Sequence, residues 1–105
     1  MNLTEWLKLC REVTEAHWKK ADRRWTIHEQ ICHTHSEVTE VYDAIRSGND
    51  LSVKYEIADV IYAAITLAHV ADLTDKEILY ALQVVLKKIQ RRTDILSSCG
   101  RGAKN

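Results

Sequence analysis

The sequence predicts an all-α protein, an antiparallel four-helix bundle. Three observations carry that expectation. There is no proline, and glycine occurs only at Gly48, Gly100 and Gly102, so the chain is poor in the residues that interrupt helices. Apolar residues recur at helical spacing through four segments. The links between those segments are short, which makes consecutive helices antiparallel neighbours.

The first segment runs from residue 3 to about residue 20. Leu3, Trp6, Leu7, Cys10, Val13 and His17 follow one face. A short basic connection, residues 21–25, precedes a capping box, Thr26-Ile27-His28-Glu29. Its threonine hydroxyl accepts from a free backbone N–H, and its glutamate reaches back to the cap. The second helix then extends to about residue 47, with Ile27, Ile31, Thr34, Val38, Val41 and Ile45 as the expected inner stripe. Gly48-Asn49-Asp50 is a turn signal, and Gly48 suits the left-handed conformation that follows a helix end.

The third helix spans about Leu51 or Ser52 to Ala71. Its wide stripe is Val53, Ile57, Val60, Ile61, Ala64, Ile65, Leu67, Ala68 and Ala71, so it should be the most buried, with alanines that let a neighbour come close. A second capping box, Thr74-Asp75-Lys76-Glu77, opens the fourth helix, whose stripe is Ile78, Leu79, Leu82, Val85, Leu86 and Ile89 and extends towards Leu96. Residues 1–97 are therefore expected to form one helical domain, and 98–105, small, polar and glycine-containing, a flexible tail.

Composition narrows the function. Lys plus Arg and Asp plus Glu are fifteen each, so no net field draws the molecule to a nucleic-acid polymer or an anionic membrane. No apolar run approaches the ~20 residues that span a bilayer. The N-terminus lacks the basic start and apolar run of a signal peptide. Cys10, Cys32 and Cys99 are odd in number and form no CxxC, which points to a reducing compartment and a cytoplasmic location.

The chemistry lies in four acids. Glu37 and Glu40 are spaced i, i+3 on the second helix, and Glu56 and Asp59 are spaced likewise on the third; such pairs share a face. At about 100° per residue, both pairs border the apolar stripe of their helix rather than oppose it. Glu40 lies eight residues before Gly48 and Asp59 eight after Leu51, so each is ~12 Å from the turn and the two are level. Four carboxylates brought together repel, and burying them is costly. A hard divalent cation resolves the conflict: Mg²⁺, or Mn²⁺ by the same reasoning, takes oxygen ligands and is typically shared with substrate phosphates. Spacing alone leaves solvated surface acids as the other reading. A di-iron bundle requires Glu-x-x-His motifs, and the sequence has none.

Ser36-Glu37-Val38-Thr39-Glu40, a spacer of fifteen residues, and Glu56-Ile57-Ala58-Asp59 together resemble the MazG-like family of all-α nucleoside triphosphate pyrophosphohydrolases, whose pattern is EExxE, a helix hairpin and ExxD. The resemblance covers about residues 25–92. It implies a Mg²⁺ site made by Glu37, Glu40, Glu56 and Asp59, hydrolysis of a nucleoside triphosphate between the α and β phosphates, and assembly as a homodimer or homotetramer. One position departs: Ser36 stands where the family has its first glutamate. The family also carries a lysine and an arginine four residues apart near the last helix. Lys87/Arg91 and Lys88/Arg92 both fit, and only the latter pair flanks the apolar stripe, although a basic helix end also complements the helix dipole.

Within that frame Glu37 or Glu40 takes the proton of the attacking water, and Lys88, Arg92 and Lys54 are phosphate candidates. Trp25 either stacks on the base or staples the start of its helix. His33, one turn before Glu37, either meets the substrate or hydrogen-bonds to Glu37. His28, Cys32 and His35 share a stripe on the far side and are a weak zinc trio. Two other functions stay open: a phosphoribosyl-ATP pyrophosphohydrolase of similar fold, and a catalytically silent helical module that oligomerises or binds nucleotide.

Overall fold

A computed structural model describes the backbone of residues 1–98 and the side chains of residues 1–95. The expected tail beyond Ser98, Cys99 and the side chain of Leu96 lie outside the described residues. The elements are four helices: α1 (Leu3–Ala21), α2 (Ile27–Arg46), α3 (Asp50–Val70) and α4 (Asp75–Ser98). No strand occurs among the described residues, and the all-α expectation holds. No described helix is long and apolar enough to cross a membrane. Contacts divide the chain into two compact units, Met1–Thr74 and the segment from Asp75 onward.

Local sequence sets the helix ends of the first unit. Asn2 caps α1 by accepting from the Glu5 N–H at 2.9 Å. Thr26 caps α2 with both bonds of the expected box: the Glu29 N–H donates to Thr26 Oγ1 at 3.2 Å and the Thr26 N–H to Glu29 Oε1 at 3.1 Å. Arg23 adds an ion pair to Glu29. Gly48 follows α2 at φ 73°, and the Asn49 N–H returns to the Ala44 carbonyl at 3.0 Å. Only a residue without a Cβ holds that conformation without strain. The result is a tight antiparallel hairpin of α2 and α3.

The hairpin seam is narrow and partly polar. Ala44 and Ala63 are buried, small enough to bring the two backbones close. At the end of the seam far from the turn Gln30, also buried, donates from Nε2 to the Ala63 carbonyl at 3.1 Å. On α1, Leu7, Cys10 and Thr14 are buried, and α1 packs against α3. Val13, expected on the inner stripe, is exposed. Thr14 takes the inward position because its hydroxyl shares a 2.6 Å hydrogen bond with that of Tyr62.

The inner stripe expected for α2 is corrected. Ile31 and Ile45 are 41 % and 58 % exposed, and Ile27 and Val38 are exposed with them. The residues turned towards α3 and α1 are Gln30, His33, Thr34, Glu37, Val41 and Ala44, buried or half-buried. The apolar stripe lies about 80° around the helix from this face. On α3, Ile57 and Ile61 are exposed as well, while Ala63, Thr66, His69 and Val70 are buried. The periodicity located an apolar face correctly, but not the face that packs within the chain.

Arg24 fixes the far end of α3. Its guanidinium donates to the carbonyls of His69 and Val70 at 2.9 and 3.2 Å and to Asp72 Oδ1 at 2.8 Å, and lies 4.9 Å from the centre of the Trp18 ring. It adds donors to carbonyls at the helix end, where that of His69 also accepts from the Asp72 N–H at 3.0 Å, and anchors the connection from which Trp25 projects. Arg11 adds a bond to the Leu73 carbonyl at 2.8 Å.

The second unit is α4 by itself, and its expected stripe residues Leu82, Val85, Leu86 and Ile89 are exposed. Replacing Arg24 by alanine removes charge-assisted bonds to the end of α3; urea unfolding should show a loss of ~1–2 kcal/mol, and Arg24→Lys, which lacks the planar fork, should recover only part of it.

Candidate metal centre

Glu37 on α2 and Glu56 and Asp59 on α3 come together: each offers an oxygen, and the three oxygens lie within 4.8 Å of one another. The hairpin register produces this, since α2 and α3 run antiparallel from the Gly48 turn and the acids sit at matching heights. Glu37 and Glu56 are half-buried and Asp59 is exposed, so the cluster opens to solvent on one side. Glu40, exposed, stands outside the trio but interacts with both Glu37 and Glu56.

The electrostatics are those of acids without enough positive charge. Burial, then the neighbouring Glu40, pushes the Glu37 carboxyl up from its ordinary value, and His33 partly offsets this. Burial, then Glu40 and Asp59, likewise pushes Glu56 up. Glu56 Oε2 is buried with no hydrogen-bond partner, an acceptor left for something to fill. The donor set is all oxygen, and opposed oxygens around a hard cation stand about twice a 2.0–2.6 Å bond apart. The residues present therefore fit a divalent cation of the magnesium or calcium kind.

His33 joins the cluster to the rest of the site. Its Nε2 lies 3.2 Å from Glu37 Oε1, the bond anticipated from the spacing, and its ring meets Trp25 edge to face at 5.2 Å between centroids. Both rings line a cavity of about 290 Å³ between α1, α2 and α3, with Thr14, Trp18, Gln30 and Tyr62 among its walls. The sequence reading missed this cavity. The signal it held was the placing of polar Thr14 and Gln30 beside apolar stripes, on faces that prove to be inward.

Other expected residues on α2 and α3 have contacts of their own. The Lys54 ammonium lies 5.1 Å from the centre of the Tyr55 ring. Lys88 and Arg92 are exposed, one turn apart on α4. Cys32 Sγ lies 3.7 Å from His28 Nε2, but among the described residues only Glu37, Glu56 and Asp59 form a close-set trio of metal-ligating side chains, so His28, Cys32 and His35 do not make the zinc set.

The raised carboxyls have a thermodynamic sign. Glu37 and Glu56 hold protons more tightly when folded, so their stabilising contribution is complete below the ordinary value of 4.5 and is lost as pH rises through their folded values. Glu29 is held below its ordinary value by the Thr26 N–H and then by Arg23; its contribution is present above 4.5 and is lost only as pH falls through its folded value. In metal-free protein the contribution of Glu37 and Glu56 to Tm should therefore grow as pH falls through their raised folded values towards 4.5. Glu56→Gln should raise Tm at the upper end and flatten the rise, and a saturating divalent cation should flatten it in the unaltered protein.

Comparison with known proteins follows the same line. The sequence model of the MazG nucleotide pyrophosphohydrolase domain matches residues 26–96, the stretch that holds the capping box, the hairpin, all four acids and most of α4. No curated protein and no solved structure matches the chain. The match spans well over half the sequence and encloses the acidic seam, and the chain belongs to the MazG nucleotide pyrophosphohydrolase family.

Proposed function

We propose that this chain hydrolyses a nucleoside triphosphate, ribo or deoxy, to the monophosphate and pyrophosphate, with Mg²⁺ as its cofactor and Mn²⁺ able to replace it. The observation that carries the reading is the convergence of Glu37, Glu56 and Asp59 one helical turn from a cavity walled by Trp18, Trp25 and His33. An acidic cation site suits a triphosphate, and an aromatic cavity suits a planar base. A cytoplasmic role in clearing the nucleotide pool follows from that substrate.

Glu37, Glu56 and Asp59 would hold the cation, with Glu40 as a further ligand or as the group beside it. Bound there, the ion supplies positive charge against the phosphate oxygens and the charge that builds up in the transition state. A water held by carboxylate attacks phosphorus in line. Glu37 is engaged by His33, whereas Glu40 is exposed at the rim, so Glu40 is the better acceptor for the water's proton. Trp25 stacks on the base and His33 lines its seat. Lys54, Lys88 and Arg92 are carried as phosphate-binding candidates on the family pattern, not on a contact.

Assembly as a homodimer or homotetramer belongs to the same proposal. Its support is the apolar face of the hairpin, Ile31, Val38 and Ile45 on α2 with Ile57 and Ile61 on α3, all exposed. Exposed apolar residues that recur along a helix mark an interaction site. Sedimentation should return an oligomer, and Val38→Lys should shift it towards monomer; a monomeric wild-type protein removes this part of the reading.

The decisive assay is pyrophosphate release from a panel of ribo- and deoxynucleoside triphosphates, with phosphoribosyl-ATP alongside, with and without Mg²⁺ or Mn²⁺. Metal-dependent release is expected, and Glu40→Gln should lower kcat by ~10²–10⁴-fold. Asp59→Asn should remove metal-dependent turnover while the helical circular dichroism persists. If no substrate in the panel releases pyrophosphate, the chain is a silent helical module.

A further inference from the structure

His33 touches two parts of the site, the acids and the aromatic cavity. Its Nε2 engages Glu37 Oε1 at 3.2 Å, and its ring lies edge to face with Trp25 at 5.2 Å, inside the cavity. Both helices step from the acids to the cavity in about one turn: Glu37 to His33 on α2, and Asp59 to Tyr62 on α3. One turn is ~5.4 Å, about the rise from an α phosphate to the base of the same nucleotide. A base seated against Trp25 therefore meets the same imidazole that holds Glu37.

The exposures show what is gained. The His33 side chain is 41 % exposed and that of Glu37 14 %. The imidazole therefore has room to leave its bond, while the carboxylate it holds is enclosed by neighbours. A base filling the cavity that His33 lines would confine the ring against Trp25 and keep Nε2 on Glu37. A glutamate has three side-chain torsions, and holding one of its oxygens removes freedom that cation binding would otherwise have to remove.

We propose that His33 is a positioning residue that couples occupancy of the aromatic cavity by a heteroaromatic base to the ordering of Glu37 at the cation site. The proposal rests on the cation and base sites assigned under Proposed function. By linkage, a base without phosphates tightens cation binding, and the cation tightens base binding by the same factor. His33 takes no proton and makes no bond in the reaction. It makes the cation site better formed when the cavity is filled, which favours nucleotides over plain polyphosphate.

Calorimetric titration of Mn²⁺ into the protein, alone and with each of the four deoxynucleosides at millimolar concentration, tests this without catalysis. In the unaltered protein at least one nucleoside should tighten Mn²⁺ several-fold. In His33→Gln the amide nitrogen can replace Nε2 at Glu37 but no ring faces Trp25, so Mn²⁺ alone should bind as in the unaltered protein and the nucleoside effect should vanish. His33→Ala should bind Mn²⁺ more weakly and also lack the effect. Tightening that persists in both variants, or Mn²⁺ binding that no nucleoside changes, overturns the coupling and leaves the hydrolase reading standing. If Mn²⁺ does not bind the unaltered protein at all, the cation site and the coupling fall together.

Discussion

Two half-buried glutamates meet across the α2–α3 seam beside Glu40 and Asp59, and the first unit has to hold these like charges together. Glu37 and Glu56 are both pushed towards their protonated forms by burial and by the acids beside them. The basic side chain that meets Glu37 is that of His33, at 3.2 Å. A seam closed only by these acids would open. It is held instead by contacts that do not depend on their charge: the small residues Ala44 and Ala63, the Gln30 bond to the Ala63 carbonyl, the Thr26 box and the left-handed turn at Gly48. Caps and hydrogen bonds of this sort contribute ~1 kcal/mol each, enough in combination to keep like charges close.

Helical geometry turns that seam into a graded site. Moving one turn along either helix exchanges carboxylates for rings and hydroxyls, from Glu37 to His33 and from Asp59 to Tyr62. The hydroxyls of Thr14 and Tyr62 bond to each other, which ties α1 to α3 and sets one wall of the cavity. Arg24 performs the matching task at another wall, gripping the last carbonyls of α3 and the Trp18 ring so that the next residue, Trp25, leaves the connection in a fixed direction. Polar chemistry and aromatic surface are thus positioned by separate contacts, and His33 is where they meet.

Much of this was legible in the sequence, for identifiable reasons. The Thr26 box, the Gly48 turn and the helix limits follow from short-range chemistry that neighbours cannot easily override. The level placing of the acids follows from counting residues outward from the turn. The inward face of α2 did not follow, because periodicity reports where the apolar residues are and not what covers them. Ile31, Val38 and Ile45 form a sound stripe, yet Gln30, His33 and Glu37 take the interior. The cavity escaped for a related reason: its walls come from three helices, and only tertiary packing brings Thr14, Gln30 and Tyr62 to one surface.

A helix that turns polar residues inward and apolar ones outward inverts the usual order for a lone domain. The inversion has a physical logic if the outer face is covered by another copy, as proposed. Burying aliphatic side chains there contributes roughly 25 cal/mol for each Å² removed from water, and this gain needs no exclusion of solvent from the acids. The acidic seam can then remain open on one side for cation and phosphate, while the contact that stabilises the hairpin lies around the helix from it. A seam packed with leucine and isoleucine would be more stable in isolation and would hold no cation. With the apolar face outside the unit the inside is left to carboxylates, and in the proposed oligomer the cost of gathering them would be offset at a surface away from the acids.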